Sequence, residues 1–187
     1  MKQNSILVYI YNLNYLVNNP KLPDIVLEHC NKYKVDDKKN ISLSNYYYLD
    51  LALKKLNSSL ENISYLNGKP FINDYYISLS HSKKYFGFAI SNNNIGIDIE
   101  DIITKLDLSK RILSEAELKE FNDSLDKSLY LTTKWTLKEA YGKMIGTGLT
   151  SYIFKNSISS YYTKVLDDGI ISIVSDDLSN IEIIVNT

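Results

Sequence analysis

The 187-residue chain holds a single cysteine, Cys30. No intramolecular disulfide can form, and a cytosolic setting fits. Histidine is scarce as well, with only His29 and His81, and there is no HxxH or CxxC spacing of the kind transition metals use. The chain has no GxSxG, which argues against a hydrolase nucleophile elbow. Gly146-Thr147-Gly148 is neither a GxGxxG nor a Walker A pattern and reads as a helix cap and turn. An excess of one charge is missing too: 21 Lys and Arg stand against 22 Asp and Glu, for a net charge of −1. That balance offers no electrostatic argument for nucleic acid or a membrane surface, so a polyanion would need local clustering of cations. The apolar stretch from Ile6 to Val17 is broken by Asn12 and Asn14, and no small-residue cleavage site follows. It reads as a buried strand and loop, not a signal peptide or a membrane span. No internal repeat or low-complexity linker divides the chain.

What is present is ordinary for a globular protein, with 44% hydrophobic and 23% charged residues. The length suits one compact domain or two small ones sharing an interface. Strands are expected at Ile6–Tyr11, Tyr76–Ser80, Tyr85–Ser91, Ile95–Glu100 and Ile181–Val185. Asp168-Gly169 between two apolar runs signals a hairpin of Tyr161–Leu166 and Ile170–Val174. Helices are expected over 24–34, 42–57, 109–120 and 126–145. The second of these carries an apolar stripe of Tyr46, Leu49, Leu53 and Leu56. Asp36–Asn40 reads as a charged loop, and Asn67-Gly68-Lys69-Pro70 as a turn. This order predicts an α+β fold with antiparallel sheets and packed helices. The segment near Asn92–Gly96 would separate two halves, 1–94 and 95–187.

Two polar clusters stand out. In Ile95–Glu100 the isoleucines alternate with Gly96, Asp98 and Glu100, which share one strand face. Carboxylates at i and i+2 lie roughly 6–7 Å apart along the backbone, from where both can reach one hard cation. Gly96 would leave room for a ligand. The same alternation is also what a half-wet strand shows without any site. In the helix at 126–145, Leu137, Ala140, Tyr141, Met144 and Ile145 form a core stripe, while Trp135, Glu139 and Lys143 form a second stripe nearly opposite. Glu139 and Lys143 could be a solvated i, i+4 pair. Trp135 beside them indicates a second buried surface, with both charges at a cleft edge. His81, ending a strand among Ser78, Ser80 and Ser82, suits phosphate contact or a plain loop.

Taken in order, these pieces resemble the 4′-phosphopantetheinyl transferase superfamily, in its long, monomeric, surfactin-activating type. Gly68-Lys69-Pro70 looks like the family's Gly-Lys-Pro turn, and Ile77–Ser82 like its strand ending in Ser-His-Ser, with Ser78 where the family usually has Asn. Gly96-Ile97-Asp98-Ile99-Glu100 resembles its Gly-Val-Asp-Ile-Glu block, and Trp135–Lys143 its Trp-(Ser/Thr)-x-Lys-Glu-(Ala/Ser)-x-x-Lys helix. Lys110–Glu117 resembles the segment preceding that helix. The resemblance implies two pseudo-symmetric halves with the active site between them. It implies Asp98, Glu100 and Glu139 as ligands of Mg²⁺, with Mn²⁺ as a substitute, and Glu139 and Lys143 as catalytic residues. It implies Lys69, Pro70, Ser80, His81, Lys138 and Lys143 around coenzyme A. The implied activity moves 4′-phosphopantetheine from coenzyme A to a serine of an apo acyl or peptidyl carrier protein, releasing 3′,5′-ADP. The alternative is a degenerate relative that binds coenzyme A or a carrier without turnover.

Overall fold

A computed structural model describes residues 5–66, 68–73, 75–155 and 158–186. Its elements in chain order are β1 (Ile6–Asn12), α1 (Asp24–Cys30), α2 (Asp36–Lys55), β2 (Ile63–Leu66), β3 (Lys69–Ile72), β4 (Tyr75–His81), β5 (Tyr85–Ser91) and β6 (Ile95–Asp101). These are followed by α3 (Ser109–Ile112), α4 (Glu115–Asp123), α5 (Lys127–Ile145), α6 (Ser151–Lys155), β7 (Tyr161–Val165), β8 (Gly169–Ser175) and β9 (Ile181–Asn186).

The strands form a six-stranded sheet ordered β2-β3-β4-β5-β1-β9 and a three-stranded sheet ordered β6-β8-β7. The pairings are antiparallel except one: β9 runs parallel to β1, with Ile183 opposite Val8. The expected antiparallel pattern therefore has one exception, where the last strand crosses back to lie beside the first. Alternation sorts the side chains of the large sheet. Tyr11, Ile77, Phe86 and Phe88 face one way and pack under α1 and α2 with Val26, Tyr46, Leu49 and Leu53. Ile6, Val8, Ile10 and Ala89 face the other way and meet Ile95, Ile97, Ile99, Ile171 and Ile173 of the small sheet. The small sheet is covered on its outer side by α5, through Leu137 and Ala140 against Val174 and a Thr136–Ser172 hydroxyl pair at 2.7 Å. The order of layers is helix, sheet, sheet, helix.

Several local readings need correction. Asp36–Asn40 is the start of α2, not a loop; Asp36 and Asp37 stand in its first turn, where the positive end of the helix dipole favours acids. Lys69 and Pro70 are not a turn but the opening of β3, paired with Leu66 and Tyr65; Asn67 lies outside the described residues. The expected helix over 109–120 is two helices. Ser114 breaks it by accepting from the Glu117 N–H while the Glu117 carboxylate accepts from the Ser114 N–H, a reciprocal capping box that starts α4. α5 ends at Gly146, whose φ of 74° is the left-handed cap that favours glycine.

Candidate functional site

The strand β6 presents Gly96, Asp98 and Glu100 to α5, as its alternation predicts. Gly96 serves a purpose other than the expected one. A Cβ there would lie 1.9 Å from the Ala140 carbonyl oxygen. The space that glycine leaves is filled by the helix, not by a ligand. That close approach brings the Trp135–Glu139–Lys143 stripe onto the acidic strand. The Trp135 Nε1–H donates to Glu100 Oε1 at 3.3 Å. The Lys143 ammonium donates to Asp98 Oδ1 at 2.7 Å, to Ser80 Oγ at 2.9 Å and to the Leu79 carbonyl at 3.4 Å.

The serines of β4 explain how the second edge of β6 is closed. Among the described residues, β6 pairs with β8 on one side only. On the other side, the Ile97 and Ile99 amides donate to the hydroxyls of Ser78 and Ser80, at 2.9 and 3.1 Å. Ser80 also donates to Asp98 Oδ1 at 2.8 Å. Alternate serines on one strand thus satisfy alternate amides on another, which a buried edge requires. The same contacts fix the position of Asp98, which is 5% exposed.

The electrostatics of this junction are those of crowded carboxylates. Burial first, and the Asp98 charge second, push Glu100 up to about 7; the Trp135 N–H partly opposes this. Glu139 is raised for the same two reasons, with Lys143 opposing. Asp98 Oδ2 is buried without a hydrogen-bond partner. Among the described residues, no three carboxylate, histidine or cysteine side chains are close enough to enclose a metal as arranged here. The donor set nonetheless fits a hard divalent cation. The Asp98 charge raises the protonation of both Glu100 and Glu139, one Asp98 oxygen is orphaned, and among the described residues Lys143 is the cation paired with Asp98.

Beside the junction lies a cleft of about 290 Å³, lined by Lys69, Pro70, Ser80, His81 and Lys143 among others. Five of the six residues expected around coenzyme A are therefore brought together. Burial lowers Lys69 to about 8; its ammonium donates to Asn94 and to the Met144 carbonyl. His81 is lowered by burial, then by Lys143 and Lys38. His29, Tyr33, Ser42, Asn45 and Tyr46 complete one wall. They come from α1, α2 and the loop between, whose polar residues carry no spacing that points to a site. Lys138 is the exception among the expected residues. It is 1% exposed and does not line the cleft. Its ammonium donates to Glu117 Oε2 at 2.6 Å and to the carbonyls of Ile112 and Phe154 at 3.0 and 3.1 Å. The expectation that it meets coenzyme A phosphates does not hold, because it leaves α5 on a different face from Glu139 and Lys143.

Residues 94–178 match the sequence model of the 4′-phosphopantetheinyl transferase superfamily. That segment is similar to the superfamily. It contains Asp98, Glu100, Glu139 and Lys143, whereas the cleft wall formed by Lys69, Pro70, Ser80 and His81 lies before it. The chain is 31% identical over 118 residues to the 4′-phosphopantetheinyl transferase Sfp of Bacillus subtilis, covering 59% of this chain and 50% of that protein. It is 36% identical over 116 residues to the 4′-phosphopantetheinyl transferase gsp of Aneurinibacillus migulanus, covering 56% and 46%. Over 70 residues it is 37% identical to a holo-[acyl-carrier-protein] synthase of Shewanella amazonensis, covering 35% and 56%. The chain thus spans about half the length of the curated relatives it matches. No helix among the described residues is long and apolar enough to cross a membrane.

Proposed function

We propose that this protein transfers the 4′-phosphopantetheine group of coenzyme A to a serine hydroxyl of an apo acyl or peptidyl carrier protein. One observation carries the reading: Lys143 lines the cleft and also ion-pairs with Asp98, so a single side chain joins a cationic, nucleotide-sized cleft to a carboxylate cluster. The chain would act as a cytoplasmic monomer, with halves 1–94 and 95–187 related by pseudo-symmetry and the site between them. Contributions to the cleft from both halves support that arrangement.

The cleft seats coenzyme A with its phosphates toward Lys143, and Lys69, Pro70, Ser80 and His81 form the wall around the nucleotide. Asp98, Glu100 and Glu139 would hold Mg²⁺ or Mn²⁺, which when bound neutralises pyrophosphate charge and stabilises the leaving group. Glu139, with its raised proton affinity, takes the proton from the incoming serine hydroxyl. The serine oxygen bonds to the phosphorus that carries pantetheine. The bond from that phosphorus to the bridging oxygen breaks, and 3′,5′-ADP leaves with the bridging oxygen. Lys143 compensates the negative charge that develops there. The nucleophile comes from the carrier, which is why this chain needs no triad of its own.

The test is a mass-shift assay with coenzyme A, Mg²⁺ and a panel of apo carrier proteins. Wild type should add the arm to at least one carrier, and Asp98→Ala and Glu139→Ala should not. Near-wild-type transfer by either variant would show that the assignment is wrong.

A further inference from the structure

An ammonium has three protons to donate, and in Lys143 all three are placed. They go to Asp98 Oδ1 at 2.7 Å, to Ser80 Oγ at 2.9 Å and to the Leu79 carbonyl at 3.4 Å. None is left for a ligand of the cleft that the same side chain lines. Lys69, across the cleft, differs in its acceptors: the Asn94 amide and the Met144 carbonyl are both neutral. Lys143 is bonded to a buried carboxylate, and no other cation among the described residues is paired with that carboxylate. Its charge also acts on Glu100 and Glu139, where it opposes the rise in their proton affinity. Lys143 is thus the resident counter-ion of the carboxylate junction.

A buried carboxylate is costly without a positive charge beside it, so the ammonium does not leave Asp98 unless another cation arrives. A divalent cation, in turn, does not enter easily while the ammonium stays, because two positive charges held so close repel. Asp98 Oδ2 is closed off and has no partner, so it becomes a ligand only when the packing over the carboxylate opens. Lys143 is the group free to open it. Its side chain is 33% exposed and flexible along four carbons. Ser80, the other donor to Asp98 Oδ1, is held in place by the Ile99 amide.

We infer that Lys143 is exchanged for the metal: a divalent cation entering among Asp98, Glu100 and Glu139 displaces the ammonium from Asp98, and the freed ammonium turns into the cleft to meet the phosphates of the nucleotide. Loading the metal and arming the phosphate grip are then one event. The inference rests on the metal assignment within the proposed function, not on the transfer reaction.

Two measurements made without coenzyme A test it. The first is acetylation of wild-type lysines by acetic anhydride at a single pH, read by peptide mass spectrometry with and without saturating Mg²⁺. An ammonium engaged by three acceptors is shielded, so the Lys143 rate should rise about fivefold or more with Mg²⁺, while the Lys69 rate stays within about twofold. The second is calorimetry of Mn²⁺ binding. Lys143→Met removes the competitor, and it should bind Mn²⁺ about tenfold or more tightly than wild type does. An unchanged Lys143 acetylation rate overturns the inference without depending on how well the variant folds. A Lys143→Met affinity no higher than that of wild type also overturns it. If wild type binds neither metal, the inference falls together with the metal assignment. Transfer is scored separately. A wild type that modifies carriers while Lys143 stays shielded keeps the proposed function and loses the exchange. One that releases Lys143 with Mg²⁺ but modifies no carrier keeps the exchange and loses the proposed function.

Discussion

Replacing Glu100 by glutamine should make the metal-free protein more stable at pH 8 while impairing its activity. Glu100 is held at about 7 against an ordinary value of 4.5, chiefly by burial and then by the Asp98 charge. A carboxyl whose folded pKa is raised binds its proton more tightly in the folded state than in the unfolded one. Its contribution to stability is complete below about pH 4.5 and is lost as pH rises through about 7. The interval between the two values corresponds to about 3 kcal/mol at full burial. Glu100 is only partly buried, and solvent screening reduces this to on the order of 1–2 kcal/mol. Glutamine is neutral at every pH, and its Oε1 can still accept from the Trp135 N–H. Urea unfolding of metal-free wild type and Glu100→Gln should therefore agree at pH 4.5 and diverge by about 1–2 kcal/mol at pH 8, with the variant more stable. Added Mg²⁺ should stabilise wild type and have little effect on the variant. If the two proteins keep the same stability difference across this range, or if the variant is the weaker one at pH 8, the picture of crowded carboxylates is wrong.

Other substitutions probe the packing and the cleft. Gly96→Ala places a methyl group 1.9 Å from the Ala140 carbonyl; thermal melts should show a loss of about 3 kcal/mol or more, because neither helix nor strand backbone can give way cheaply. Ser80→Ala strands the buried Ile99 amide and removes a donor to Asp98, at a cost of about 1–3 kcal/mol measurable by denaturant titration. Lys69, lowered to about 8 by burial, carries full charge below that pH and loses it above. Coenzyme A affinity measured by calorimetry should therefore fall as pH rises through about 8, and Lys69→Met should remove that pH dependence while binding more weakly at pH 7.

Much of the site could be read from local patterns, because the groups involved lie at fixed periods. The alternation in Ile95–Glu100 places Asp98 and Glu100 on one face, and they are found there. The four-residue spacing of Trp135, Glu139 and Lys143 makes a stripe, and Trp135 and Lys143 touch the two acids. The helix boundaries near Asp36 and Ser114 were less legible. A charged helix start looks like a loop, and a capping box inside an apolar period looks like continuous helix until the break is seen.

The side of Lys138 was not legible at all. Patterning assigns a lysine to solvent, and its neighbours in sequence point to the cleft. Its burial depends on acceptors supplied by Ile112, Glu117 and Phe154, residues distant along the chain whose convergence no local period encodes. The serines of β4 tell the same story: alone they look like a wet strand face, and only the approach of β6 makes them partners for its amides. Sequence alone thus determined which residue types share a strand or helix face, because backbone geometry sets that. Tertiary structure alone decided what each face meets: α5 against Gly96, the cleft beside Lys143, and β9 returning to pair with β1. Those contacts are set by long-range packing and the need to satisfy buried polar groups.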